Sequence, residues 1–70
     1  MSKFIKGSRV RFVRPPSNTR WVPHFDLAKE YLDIGKLYTV EHVFIGEPEQ
    51  IEIVGIEYPL FIAEMFDLAE

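Results

Sequence analysis

The sequence predicts a mostly β fold, a small barrel of five short strands with one short helix in the long connection after strand 1. Three observations predict it. Apolar side chains alternate along several short runs. Those runs are rich in β-branched and aromatic residues. Glycines and prolines separate the runs, or sit where the alternation changes phase, as the corners of a small barrel require. The chain has 70 residues, and dividing it would leave neither half a core, so residues 1–70 read as a single domain.

The first strand is predicted over residues 9–14, where Val10 and Phe12 alternate with Arg9 and Arg11. Gly7 reads as a turn before it. Pro15 and Pro16 end it, because proline cannot donate to a ladder. Residues 15–35 then form a long connection. Within it, Ser17, Asn18 and Thr19 suit a turn. Phe25, Ala28 and Leu32 fall at helical spacing, beside a second stripe of Leu27, Tyr31 and Ile34. With Pro23 near the start and Gly35 as a stop, the spacing predicts a helix over residues 23–33.

The clearest strand is residues 37–45, and its apolar positions shift phase between Val40 and Val43, which predicts a bulge. Residues 46–49, Gly-Glu-Pro-Glu, have the composition of a hairpin turn. Residues 51–56 form the return strand, with Gly55 expected to mark a kink. Tyr58 and Pro59 open the last segment. There, residues 60–62 pair as a short strand, residues 63–65 make one helical turn, and residues 66–68 close the fold.

Composition excludes several function classes. There is no cysteine, so disulfides, a thiolate zinc site and a cysteine nucleophile are all excluded. A domain this small without such staples must rely on packing or on a partner chain. Aromatic residues reach 14%, and each can bury roughly 150–250 Å², so a few can fill a small core. No apolar run approaches the roughly 20 residues needed to span a bilayer. Residues 1–7 lack the apolar stretch of a signal peptide, so no membrane partner and a cytoplasmic location are expected.

The charge is unevenly placed. Residues 1–25 hold six bases (Lys3, Lys6, Arg9, Arg11, Arg14, Arg20) and no acid, whereas residues 26–70 hold two bases and eleven acids. Such a basic segment can face an anion such as nucleic acid. The favoured expectation is that the two parts of the chain pack together and neutralise each other.

Three stretches carry a resemblance. Lys6-Gly7-Ser8-Arg9-Val10-Arg11 resembles the opening strand of many SH3-like barrels. Gly35-Lys36-Leu37-Tyr38-Thr39-Val40 resembles a second strand of the form G-K-x-Y-x-V, found in small proteins of bacteria and their phages. Phe61-Ile62-Ala63-Glu64-Met65-Phe66 resembles the helical turn and last strand of the same proteins. The resemblance implies an SH3-like five-stranded barrel. It says little of activity, because this barrel hosts peptide binders, nucleic-acid binders and protein inhibitors. The chain lacks the A-L-Y-D-Y stretch and the strand-borne tryptophans of peptide-binding SH3 domains, so recognition of proline-rich peptides is not expected.

No catalytic constellation is present. The histidines are His24 and His42, and there is no G-x-S-x-G elbow, phosphate-cradling glycine loop or H-E-x-x-H. A substrate cavity of about 300 Å³ would also consume most of so small a core. His24 with Asp26, and Glu41 with His42, are zinc-ligand types, but they fall on different elements, and neighbouring strand residues point to opposite faces. No enzyme, cofactor or metal site is expected.

The first expectation is therefore a protein-interaction module. The partner, or a second copy of the chain, would be engaged through the connection that carries Arg14, Arg20, Trp21, Phe25 and Tyr31. Long loops in compact domains are often functional, and Trp and Arg are enriched at interface hot spots. If the chain is phage-encoded, as the resemblance implies, the role would be that of an accessory or inhibitor protein acting on a host factor. The alternative expectation is nucleic-acid binding through Arg9, Arg11, Arg14 and Arg20. Arg9 and Arg11 would share a strand face about 7 Å apart, near the phosphate spacing of a single strand.

Overall fold

A computed structural model describes residues 3–69; Met1, Ser2 and Glu70 lie outside the described residues. Five strands follow in chain order: β1 (Arg9–Phe12), β2 (Leu37–Phe44), β3 (Gln50–Ile53), β4 (Ile56–Ile62) and β5 (Phe66–Leu68). All pairings are antiparallel, and the strand order is β4-β3-β2-β1-β5. A helical turn, Thr19–Trp21, leads into the one α-helix, α1 (Val22–Ala28), inside the connection after β1. A second turn, Ala63–Met65, joins β4 to β5. This is the small SH3-like five-stranded barrel that the sequence predicts.

The bulge in β2 sets the shape. Val40 pairs with Ile53, but the next pair is His42 with Glu52, so one residue is skipped. The strand bends there and serves two ladders, one with β1 and the other with β3. The phase shift between Val40 and Val43 follows from the skip, since it lets both side chains reach the core.

The core is apolar throughout. Phe4, Val10, Phe12, Val40, Ile51, Ile53, Phe61, Met65 and Phe66 are each at most 2% exposed. The Phe12 ring lies 5.5 Å from both Phe25 and Phe66, which ties β1 to α1 and to β5. Ala28 and Leu32 seat the helical segment on this cluster. The absence of cysteine is thus met by aromatic packing, as the composition suggests.

Besides β1 ending at Phe12 rather than 14 and β2 at Phe44 rather than 45, three larger differences from the sequence reading stand out. The helix stops at Ala28 rather than 33, and the chain continues through turns in which Glu30 N donates to Leu27 O and Tyr31 N to Ala28 O. Those i to i+3 bonds, with Leu32 N donating to Ala28 O, wind the chain into turns after the helix. The run 51–56 is two strands, not one. Val54 and Gly55 form a two-residue loop, and Gly55 takes φ +90°, which side chains rarely adopt. Tyr58 and Pro59 lie inside β4 rather than opening a new segment. Proline is tolerated there because β4 is an edge strand, and its ladder to β3 is irregular between Ile56 and Phe61.

Candidate functional site

The predicted binding residues do not form one cluster. Arg14 sits beyond β1, where Val13 N and Arg14 N both donate to Met65 O and draw the chain against the turn before β5. Its guanidinium donates to Glu64 O at 2.9 Å and also pairs with the Asp67 carboxylate. Phe25 is half-buried against Phe12, with the Lys29 ammonium 4.8 Å over its ring. Tyr31 is exposed at the far end of the helical segment. Arg20 and Trp21 stand together, the guanidinium 5.8 Å over the indole ring. Asn18 Oδ1 accepts from Arg20 N and so holds that turn in place.

The nucleic-acid set is similarly dispersed. Arg9 and Arg11 share the outer face of β1, but they oppose Thr39 and Leu37 on β2, and Arg11 also opposes Asp67 on β5. The register places no glutamate opposite either arginine. Arg11 donates to Gly35 O at 2.6 Å, and Arg14 is engaged as above. Lys6 pairs with Glu41 at 3.6 Å, and Lys3 Nζ donates to Phe66 O. The basic N-terminal part is thus in large measure folded onto acidic or carbonyl groups of the rest of the chain.

Around Arg20 and Trp21 the fold builds a cleft of about 400 Å³. Its floor is Ile62, and its second wall is the β2–β3 turn with Glu47, Pro48 and Glu49. Glu64 closes the remaining side. Ala63 N donates to Glu49 O at 3.0 Å, fixing the hairpin wall against the turn that carries Glu64. The cleft offers an aromatic face, a proline and three carboxylates against one guanidinium. That set suits a chain segment with apolar and cationic side chains.

The Glu47, Pro48, Glu49 and Glu64 wall is what the sequence reading missed. The Gly-Glu-Pro-Glu stretch announces a turn, but nothing local in it says which surface the turn faces. Among the described residues, no group of three or more His, Asp or Glu side chains could hold a metal ion. His24 instead packs edge-on to Trp21, and His42 to Phe44. No described helix is long and apolar enough to cross a membrane.

Two carboxyls near the cleft titrate low. A hydrogen bond from the Ser17 side chain, with smaller help from Arg14, holds Glu64 below the usual glutamate range. The Arg14 guanidinium does the same for Asp67. A carboxyl whose folded pKa is depressed adds stability above its unfolded pKa and loses it as pH falls through the folded value. The denaturation midpoint should therefore drop as pH falls below about 4. In Arg14→Gln that acid-side drop should be shallower, because Asp67 then titrates closer to its unfolded value. Urea unfolding of both proteins across this range checks it, and identical pH profiles would exclude the pairing in solution. Both groups are exposed, so the difference should shrink in high salt.

No protein-family model, curated protein or solved structure matches the chain. What the site can do follows from its own geometry.

Proposed function

We propose that this chain is a non-enzymatic protein-interaction module that engages its partner through the Trp21 cleft. One observation supports it above the others. The long connection and the β2–β3 turn converge so that the one tryptophan of the chain borders a cleft, with Arg20 over its ring. Trp and Arg are enriched among the residues that anchor protein contacts. The engagement of Arg11 and Arg14 within the fold counts against the nucleic-acid alternative. The resemblance to small barrels of bacteria and phages adds a narrower reading, an accessory or inhibitor protein acting on a host factor in the cytoplasm.

The test is capture from bacterial lysate by the tagged chain, with nuclease-treated and untreated halves and a salt series. A protein partner should survive nuclease and bind with similar strength from about 50 to 200 mM salt. A complex neutralising four phosphates would lose about two orders of magnitude in affinity over that range. Nucleic acid recovered in the untreated half, with that salt slope, would replace the proposal with binding through Arg9, Arg11, Arg14 and Arg20.

A further inference from the structure

Two further clefts lie beyond the Trp21 cleft, and together they line one seam. The middle one, about 190 Å³, lies between His24 and Leu27 on α1 and Leu60 on β4. The far one, broad and about 950 Å³, is bordered by Tyr31 and Tyr58. Shared and neighbouring residues join them. Tyr58 borders both the middle and far clefts. Glu49 lines the first cleft and Gln50 the middle one. Trp21 packs edge-on to His24, with ring centroids 5.5 Å apart, across the same junction.

The two walls run in the same order. Trp21 just before α1, His24 and Leu27 on α1, and Tyr31 in the turns after it border the first, middle and far clefts in turn. Ile62, Leu60 and Tyr58 alternate along β4 and cover about 13 Å. An extended chain covers that distance in about four residues.

Charge is confined to the two ends. Glu47, Glu49 and Glu64 stand at the Trp21 end, against Arg20. Glu41, Glu52 and Glu57 stand at the Tyr58 end, where Lys6 reaches Glu41 alone. The middle cleft has no carboxylate or ammonium in its lining. Acid at both ends with an uncharged, mostly apolar centre is complementary to one pattern of ligand.

We propose that the three clefts form one groove that holds an extended segment of a partner protein, with an apolar centre and a basic residue at each end, about four positions apart. This rests on the interaction-module reading and names the chemistry of its partner. The Glu47, Glu49 and Glu64 carboxylates take the basic side chain at one end, beside Trp21, and Glu52 and Glu57 take it at the other, beside Tyr58, while Leu27 and Leu60 take the apolar side chains between them. The hydrogen bond from the Ser17 side chain holds the Glu64 carboxyl below the usual glutamate range, which favours its charged form at the first end.

The experiment is selection of a displayed random nine-residue peptide library on the immobilised full chain. Enriched peptides should carry Lys or Arg four positions apart around apolar residues. Affinity for the resulting consensus peptide should fall roughly tenfold in Trp21→Ala and, separately, in Glu57→Lys at the opposite end. Glu57 is exposed, so that variant should fold normally, and circular dichroism checks it. Enrichment of acidic or patternless sequences, or of none, overturns the proposal. A peptide that depends on Trp21 but not on Glu57 also overturns it, leaving the module reading intact with one cleft. A peptide indifferent to both substitutions removes both readings. A dimer in sedimentation that Tyr58→Lys converts to monomer would make the groove a contact between copies of the chain, and the peptide proposal would fall.

Discussion

Phe12→Ala should destabilise the chain by about 3–5 kcal/mol, as measured by urea unfolding. The ring is fully buried on β1 and lies 5.5 Å from two other aromatic rings, one on α1 and one on β5. Removing it therefore opens a cavity where three elements meet, and side chains held by two ladders cannot all collapse into it. A domain of this size has a total stability of roughly 4–10 kcal/mol, so the loss would leave a chain that is partly unfolded at 37 °C or folded only in the cold. Phe12→Leu keeps most of the volume and should cost much less. A loss under about 1 kcal/mol for the alanine variant would mean that the three elements do not share one core.

Trp21→Ala should weaken partner binding by about tenfold, the effect expected when an aromatic anchor is cut back. The indole is half-buried, touches the core from the outside and forms one face of the cleft. Some stability is lost with it, so binding must be measured where both proteins are folded. Trp21→Phe separates the two roles. It retains a ring against the core and a face for a cation, and should recover most of the affinity. Binding unchanged in the alanine variant would move the partner site away from this cleft, whatever the partner is. Calorimetry or fluorescence anisotropy with the captured partner gives the number.

The fold was legible because its signals are local. Alternation around Val10 and Phe12 marked β1, the phase shift between Val40 and Val43 marked the bulge, and residues 63–65 announced their single turn. The errors came where a local signal has two meanings. Gly55 suits a kink or a hairpin loop, and only the pairing of Ile53 with Ile56 decides for the loop. Pro59 suggests a break, yet an edge strand accommodates it. Helical spacing persists past Ala28, although the backbone leaves the α-helix there, because the turns that follow still place Leu32 on the core.

The site was less legible because its walls are far apart in sequence. Trp21 stood out by type alone. Glu47, Pro48 and Glu64 join it only through packing of the β2–β3 turn and the turn before β5. Arg14 looked free for a partner, and its use on Asp67, 53 positions away, has no signature in the residues around it.

The ladder that closes the sheet joins Val10 to Leu68 and Phe12 to Phe66, so its two strands come from opposite ends of the described chain. By contrast, β2, β3 and β4 follow one another through short loops. Gathering neighbours costs little chain entropy, whereas joining the ends requires most of the polypeptide to be confined first. Refolding should accordingly build the three-strand meander early and zip β1 to β5 late, on the millisecond-to-second scale of topologies dominated by distant contacts. Until that zipper closes, Phe12 and Phe66 lack the cover of each other's ring. The nascent chain thus carries its most adhesive surface for as long as its last strand is unfinished, which makes the final residues of β5 decisive for its escape from aggregation.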